Sequence, residues 1–569
     1  MNFCKWIDEE SEEEVFGGES EDDDDDQIEI SDHDSESEED VDEDNNYDTN
    51  VQSDATKYCS KDQKIIWYAN PPAKTKTKKH NIYRNKPGPT KISITAETVL
   101  ESFNMFISDE MIQMITNFTN IYIEKIKNNF GRERDAKSTD TCEIKSLIGL
   151  LYFIGVYKSG RQNIKDLWKT DGTGIDMVYC TMSYNRFRFL IRSIRFDDII
   201  TREERKKNDK LAAIRTFFDL FVQNCKKTII PGPYLTIDEQ LVAFRGRCSF
   251  RQYIPSKPAR YGIKIFSLVD SETMYTLNME IYCGKQPDGE YNVSNSPLEL
   301  VPRLCEVIKG TGRNLTMDNW FTSYPLAIYL KKEMNITMMG TIRRNKKELP
   351  PELIISKGRE EKSSKFAFTE DCTLVSFIPK KNKMVLLLST THDDESIDEK
   401  TQKPSVVVDY NNTKFGVDIV DQMCGFYNTS RNSRRWPLTI FFNILNIAGI
   451  NSMILYRMNK KEKIIRKHFL QELALKFIRP EIERRIQKHE LPRQIRIKCN
   501  FILQYENEQP SNQQPQRIGT GRCYICPRNL DKKTKYICDV CYKWVCKGHV
   551  VSQTYCENCY STDEKMESE

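Results

Sequence analysis

Basic residues are nearly absent from the start of this chain. Residues 1–50 contain 24 Asp and Glu but a single Lys, so their net charge is −23. A segment with such a density of like charge buries too little apolar surface to fold, and we expect it to be disordered. The whole chain carries only +2, which leaves +25 on residues 51–569. This excess favours a partner with a phosphate backbone, and the acidic segment could compete for the same surface.

Signals for export and membrane insertion are also missing. The first residues, MNFCKWIDEESEEE, have neither a basic start nor an apolar stretch, so we expect no secretory signal. One segment, residues 437–456, has 20 residues without a charge, but Asn443, Asn446 and Asn451 interrupt it. We expect a buried helix there and no membrane partner.

The 18 Cys form two groups. Eleven are scattered between Cys4 and Cys499 without motif spacing, which is typical of reduced thiols in the cytosol or nucleus. The other seven, with one His, form four closely spaced pairs: Cys523 and Cys526, Cys538 and Cys541, Cys546 and His549, Cys556 and Cys559. Eight nitrogen and sulfur ligands fill two tetrahedral sites, so the pattern predicts two structural Zn²⁺ ions. A RING or PHD finger has the same ligand count, although the basic residues around this one favour DNA.

Carboxylates end three strongly apolar segments. These are YLTIDEQ with Asp238, NLTMDNW with Asp318, and FGVDIVDQM with Asp418 and Asp421. Several such carboxylates brought together form an all-oxygen site for hard divalent cations, as a two-metal phosphoryl-transfer enzyme requires. For each Asp taken alone, a turn or helix N-cap role stays open.

Hydrophobic periodicity divides the rest of the chain. It is helical over 96–231, where NRFRFLIRSIR at 185–195 predicts an amphipathic helix with a basic stripe. Alternating, β-rich runs follow from 235 to 342, and more strands are predicted between 343 and 403. The helical pattern resumes after Asp421.

Four long blocks resemble the piggyBac transposases, in the order of that family. They are LTIDEQLVAFRGRCSFRQYIPSKPARYGIKIFSLVDS (235–271), LTMDNWFTSYPLA (315–327), GTIRRNKKELP (340–350) and YNNTKFGVDIVDQMC (410–424). The resemblance runs from about 97 to 559 and leaves only the termini uncovered. It implies a cut-and-paste transposase that hydrolyses and joins DNA strands at TTAA sites.

The fold implied by the resemblance is multidomain α/β. It has an RNase H-like catalytic core with a β-rich insertion, a discontinuous helical dimerisation and DNA-binding domain, and a C-terminal cross-brace zinc domain. The boundaries that we predict are as follows: a disordered tail, acidic then basic, 1–95; helical domain 96–233 and 428–505; catalytic core 234–345 and 405–427; insertion 346–404; linker 506–520; zinc domain 521–562.

The resemblance also assigns the metal ligands. Asp238, Asp318 and Asp418 would be the catalytic triad that holds two Mg²⁺ or Mn²⁺ ions, with Asp421 as a fourth acidic residue beside them. The cross-brace would place Cys523, Cys526, Cys546 and His549 on one zinc ion. Cys538, Cys541, Cys556 and Cys559 would hold the other.

Basic residues near the triad are candidate DNA contacts. They are Arg245, Arg247, Arg251, Lys257, Arg260, Lys264, Arg343, Arg344, Lys346, Lys347, Arg434 and Arg435. Trp436 follows the last pair, and we predict that it stacks on an unpaired base, with a core position as the alternative.

Together these features predict a nuclear homodimer that binds double-stranded DNA at transposon ends and at TTAA targets. A host-domesticated protein that binds DNA or chromatin without cleaving it is the alternative. A ubiquitin ligase or chromatin reader acting through the terminal module is the third.

Overall fold

The computed structural model of the chain describes residues 57–71, 83, 86–159, 162–255, 257, 259–489, 491–505, 519–537 and 543–550, with the backbone of two short strands at 29–30 and 39–40. The chain forms two units, residues 1–503 and 504–569.

Most of the described helices of the larger unit lie before or after the central strands, and three lie between them. Their bounds are α1 Val99–Asn104, α2 Asp109–Ile126, α3 Thr141–Val156, α4 Asp176–Thr181, α5 Tyr184–Ser193, α6 Arg202–Lys206, α7 Arg215–Thr228, α8 Pro297–Cys305, α9 Tyr324–Glu333, α10 Pro351–Ile354, α11 Ser405–Thr413, α12 Gly416–Phe426, α13 Trp436–Lys460, α14 Arg466–Ile486 and α15 Arg493–Tyr505.

Strands concentrate in the middle of the chain. Their bounds are β1 Glu29–Ile30, β2 Glu39–Asp40, β3 Lys57–Cys59, β4 Ile66–Tyr68, β5 Gly88–Pro89, β6 Ile229–Ile230, β7 Tyr234–Ala243, β8 Gln252–Tyr253, β9 Tyr261–Asp270, β10 Thr276–Ile281, β11 Asn314–Met317, β12 Thr337–Thr341, β13 Ser364–Phe368, β14 Thr373–Lys380, β15 Lys383–Ser389, β16 Gly521–Arg522 and β17 Lys533–Thr534.

One large mixed sheet organises the central region. β10, β9 and β7 are antiparallel neighbours, and β11 and β12 then follow β7 in parallel. Every position of β9 after Tyr261 is buried, which is typical of a central strand covered on both faces. Helix α8 connects β10 to β11, and α9 connects β11 to β12, because parallel strands in a sheet need a crossover connection.

The strands of the predicted β-rich insertion, residues 346–404, extend the central sheet. β15 pairs antiparallel with β12, and β14 and β13 continue outward in the same sheet. Apolar residues on this extension, including Val375 and Leu387, pack under Val406 and Val407 of α11. Burying that face is what joins the strands to the core.

Helices from before and after the sheet in the chain pack together. α3 lies along α14, and a Cβ at Gly149 would come within 2.9 Å of atoms of Ala474 and Phe477. The glycine is what permits this close approach.

The charge-free segment forms α13 in the middle of the fold. Among the described residues it is the one helix long and apolar enough to cross a membrane, yet its apolar window is entirely buried inside the protein. Its three Asn have internal partners, such as Thr276 for Asn451. The helix is therefore a core helix, as the sequence predicted.

The prediction of disorder over 1–95 was too broad. Residues 57–71 form a hairpin of β3 and β4 that joins the large sheet where Tyr68 pairs with Phe368. Residues 88–89 pair with β6, and Ser93 donates a hydrogen bond to the carbonyl of Thr228.

Candidate active site and metal centres

Strand pairing places Asp238 beside Asp318. β7 and β11 are parallel, with Thr236 opposite Thr316 and Ile237 opposite Met317. The next residue on each path is the Asp. Neighbouring strands lie about 4.8 Å apart, so Asp238, in the middle of β7, and Asp318, directly after β11, are neighbours.

Two threonines fix the helix that carries the third Asp. The Thr236 hydroxyl donates to the carbonyl of Thr413 at 2.6 Å, and the hydroxyls of Thr316 and Thr413 lie 2.7 Å apart. Thr413 ends α11, and α12 begins at Gly416 directly over β7. A Cβ on Gly416 would come 2.8 Å from the Thr236 hydroxyl, so only glycine allows α12 to start this close to the sheet.

The three Asp residues line one cavity of about 210 Å³. Its lining residues are Thr236, Ile237, Asp238, Lys257, Thr316, Met317, Asp318, Tyr410, Lys414, Phe415 and Asp418. Asp421 is one helical turn further along α12 and does not belong to this lining. Its carboxylate accepts a hydrogen bond from Gln240 at 3.0 Å, and Gln240 in turn accepts one from Asn443 at 3.1 Å.

Burial raises the pKa of two of these carboxyl groups, those of Asp238 and Asp421. The pKa of Asp238 is raised well above its usual range by burial and by the negative charges of Glu239 and Asp418. Burial likewise raises the pKa of Asp421, against its bond from Gln240 and the charge of Lys257. Crowded, buried carboxylates disfavour their charged forms, and divalent cations reverse that preference. The all-oxygen donor set therefore fits hard divalent cations.

One buried carboxylate behind the cavity was missed by the sequence interpretation. Glu239 is 1 % exposed, and burial raises its pKa to about 7 despite Lys257. The Lys257 ammonium lies 3.6 Å from a Glu239 oxygen. Burial lowers the pKa of Lys257, but the negative charges of Glu239, Asp238 and Asp418 outweigh this effect, so the pKa is raised overall. Lys257 therefore brings a positive charge to the cavity itself.

Tyr410 and Lys414 of the lining were also missed. Tyr410 is buried, which raises the pKa of its phenol. Lys414 lies over the rings of Tyr410 and Phe415. Their position in the YNNTKFGVD block, within one or two helical turns before Asp418, was the available signal.

The predicted DNA contacts fall into four sets. Arg245, Arg247, Arg260, Lys347 and Arg434 are exposed, Arg343, Arg344 and Lys346 are half-buried, and Lys257 lines the cavity. The remaining four are buried: Arg251, Lys264, Arg435 and Trp436.

For these four the prediction of a DNA contact was wrong. Arg251 donates to the carbonyl of Gly246 at 2.5 Å, and Arg435 donates to the carbonyl of Ile194 at 2.7 Å. The Lys264 ammonium lies 4.5 Å from the ring centre of Tyr282. Trp436 is 4 % exposed and packs edge-on against Phe250, with ring centres 5.1 Å apart. Each side chain is committed to the protein interior, so we assign structural roles to all four.

The smaller unit brings together four of the predicted zinc ligands. The ligand atoms of Cys523, Cys526, Cys546 and His549 all lie within 4.8 Å of one another. Although burial opposes it, backbone N–H groups and His549 lower the pKa of the Cys523 thiol to about 6, which favours the thiolate that a zinc ion needs. Cys538, Cys541, Cys556 and Cys559 lie outside the described residues.

Comparison with known proteins identifies the family. The family model described as transposase IS4 matches residues 98–453, more than half of the chain. The chain therefore belongs to this transposase family, and within it to the piggyBac type. The resemblance predicted from the sequence blocks is confirmed.

A solved structure and two human proteins define the relationship further. A piggyBac transposase, determined in a synaptic complex with hairpin DNA, is 36 % identical, with a TM-score of 0.70 over 83 % of this chain and 100 % of that chain. Human piggyBac transposable element-derived protein 3 is 23 % identical over 369 residues, 61 % of this chain and 60 % of that protein. Human piggyBac transposable element-derived protein 5 is 19 % identical over 273 residues, 47 % and 51 % of the two chains. The chain thus spans about half to three-fifths of these human relatives.

Proposed function

We propose that this protein is a cut-and-paste DNA transposase that cleaves and joins strands at TTAA sites. The observation that carries the proposal is the convergence of Asp238, Asp318 and Asp418 on one cavity. A protein that only binds DNA has no need for three carboxylates crowded around one cavity, where their mutual repulsion is unfavourable.

The catalytic core of this enzyme is RNase H-like. Three antiparallel strands, β10, β9 and β7, followed by two parallel ones, β11 and β12, support this assignment. Asp238 then lies on β7, Asp318 directly follows β11, and Asp418 lies on α12, which packs over β7.

Asp238, Asp318 and Asp418 would hold two Mg²⁺ or Mn²⁺ ions, which supply an activated oxygen nucleophile and charge neutralisation at the phosphate. A water oxygen attacks the phosphodiester at the element's end and releases a 3′ hydroxyl. That hydroxyl attacks a phosphodiester of the opposite strand, which forms a hairpin and displaces the flanking DNA as the leaving group. A second water hydrolyses the hairpin and frees the 3′ hydroxyl again, which then attacks the target phosphate and displaces a target 3′ hydroxyl. Lys257 faces the same cavity, where its charge stabilises the phosphate that gains negative charge.

The DNA partner is held by the basic residues that remain outside the core. Arg245, Arg247, Arg260 and Arg434 are exposed, and Arg343, Arg344 and Lys346 form a second group. The synaptic complex of the solved relative supports double-stranded DNA as the partner. A homodimer in the nucleus follows from the same proposal, and two structural Zn²⁺ ions complete the terminal module, one of them on the Cys₃His cluster.

Replacing single carboxylates tests the proposal. Asp318→Asn and Asp238→Asn should abolish strand cleavage of DNA carrying the element's own ends, while the affinity for that DNA stays close to wild type. Asp393→Asn, at an exposed position away from the cavity, is the matched control and should cleave normally. Full cleavage by the Asp318→Asn protein would remove the basis of the proposal.

A second candidate is a protein that binds DNA or chromatin without cleaving it. The names of the two human relatives describe proteins derived from a transposable element, which favours this candidate over unrelated ones. Binding of element ends by the wild-type protein, with no cleavage in Mg²⁺ or Mn²⁺, would support it.

A further inference from the structure

A short hairpin upstream of the helical domain packs against the basic group near Asp318. We call residues 57–68 the N-terminal hairpin and residues 343–349, RRNKKEL, the basic loop. Almost 280 residues separate the two segments in the chain. The hairpin pairs with β13 at one position, Tyr68 with Phe368. Other contacts must therefore fix it on the protein.

Trp67 is the anchor of the N-terminal hairpin. It is 0 % exposed, and its indole N–H donates to the carbonyl of Glu348 at 3.0 Å. Its ring packs edge-on against Tyr324, with ring centres 5.6 Å apart. A fully buried indole with a satisfied N–H contributes both apolar burial and orientation.

The turn of the hairpin adds three hydrogen bonds to the basic loop. The backbone N–H of Lys61 donates to Leu349 at 3.1 Å, and that of Asp62 donates to Lys347 at 3.2 Å. The Lys61 ammonium donates to the carbonyl of Arg344 at 2.5 Å. With the bond from Trp67, all four end on carbonyl oxygens of the loop, so together they fix the path of its backbone.

The other end of the basic loop reaches the candidate active site. The guanidinium of Arg343 donates to the side-chain oxygen of Asn319 at 3.1 Å, and Asn319 directly follows Asp318. The loop is therefore held on one side by the N-terminal hairpin and on the other beside the catalytic edge of the sheet.

We propose that the N-terminal hairpin positions the basic loop for contact with the DNA backbone next to Asp318, with Trp67 and Lys61 as positioning residues. The expected ligand is the phosphate backbone of the DNA undergoing cleavage, so this part rests on the proposed function. A loop fixed at both ends presents its positive charges without an ordering cost when DNA binds.

Full-length variants test the proposal by two independent measurements. Trp67→Ala and Lys61→Met each remove a bond to the loop, so amide hydrogen exchange across 343–349 should become about tenfold faster. The affinity for element-end DNA and the cleavage rate should fall with it. Trp67→Phe keeps a ring but loses the N–H donor and should be intermediate. Ile66→Thr is the matched control, because Ile66 lies on the same strand and is 53 % exposed; it should behave as wild type.

Each outcome decides the proposal. Wild-type exchange over 343–349 in folded Trp67→Ala and Lys61→Met proteins would overturn it, as would a loosened loop with unchanged DNA affinity and cleavage. If Trp67→Ala does not fold, the Lys61→Met protein decides by itself, because Met removes the ammonium group and keeps an unbranched apolar chain of similar length. If the wild-type protein neither binds nor cleaves DNA, the proposed function fails, whereas the exchange measurement still decides whether the hairpin holds the loop.

Discussion

Gly416 is the position where a single methyl group tests the geometry of the candidate active site. In a Gly416→Ala protein the new Cβ would lie 2.8 Å from the Thr236 hydroxyl and 3.2 Å from the Thr236 Cβ. Comfortable contacts between such atoms are about 3.5 to 4 Å, so the start of α12 must move by about 0.5 to 1 Å. The hydroxyl cannot easily yield, because it is bonded to Thr413 and lies 2.8 Å from the Ser271 hydroxyl.

Asp418 would move with the helix, since it is only two residues beyond Gly416. A displacement of about 1 Å in a catalytic constellation costs on the order of 100-fold in rate, or about 2.7 kcal/mol in the barrier. Folding should survive, because Ala is a better helix former than Gly by about 1 kcal/mol. Single-turnover cleavage of end DNA in Mg²⁺ should therefore fall about 100-fold while DNA affinity stays unchanged.

A second glycine on the same helix provides the control. A Cβ added at Gly425 would meet no atom of another described segment within 4 Å, so Gly425→Ala should cleave like wild type. Adding Thr236→Ala to Gly416→Ala removes the hydroxyl that the methyl group meets, but it also removes the bond of that hydroxyl to Thr413, so at most a small part of the lost rate should return. Wild-type cleavage by the Gly416→Ala protein would refute the role assigned to this close approach.

Three further predictions concern the core, the carboxylates and the zinc module. Trp436→Ala should lower the free energy of unfolding by about 3 to 5 kcal/mol, measured in urea, because it empties a core position; a stable protein that has lost only strand joining would restore the stacking role. Burial raises the pKa of Glu239 from 4.5 to about 7, so the free energy of unfolding should fall as the pH rises from 4.5 to about 7 and the buried carboxyl loses its proton. Without Mg²⁺, the free energy of unfolding of the Glu239→Gln protein should fall less between pH 5 and pH 8 than that of wild type. An equal fall in both proteins would contradict the assignment. The wild-type chain should bind two zinc ions and Cys526→Ser one, by atomic absorption; zero or one ion in the wild type would contradict the cross-brace.

Much of the catalytic core could be predicted because its signals are local. An alternating apolar run that ends in Asp indicates a strand with a carboxylate at its end. Asp318 lies at such a position, directly after β11, whereas β7 continues past Asp238 to Ala243. The charge-free segment was predicted as a buried helix from its Asn residues, and α13 is buried. The long motif blocks predicted the family, which the comparisons confirm.

The basic residues could not be sorted from sequence alone. Lys264 and Arg251 have the charge and position expected of phosphate contacts, yet both are buried. Aromatic rings and backbone carbonyls that the fold brings to them stabilise such charges inside the protein, as the ring of Tyr282 does for Lys264. The position of Trp436 in the core could not be predicted because its partner Phe250 lies almost 190 residues away in the chain.

The sequence by itself determined the family, the order of helices and strands, and the residue types that can bind metal ions, since these depend on composition, spacing and periodicity along the chain. Only the tertiary structure decided which of those residues meet. The parallel pairing of β7 with β11 makes Asp238 and Asp318 neighbours, and Gly416 lets α12 bring Asp418 to them. It also decided that Trp67, in a segment predicted to be disordered, packs on the basic loop. Such contacts depend on which surfaces bury each other across hundreds of residues, and local sequence patterns do not predict those pairings.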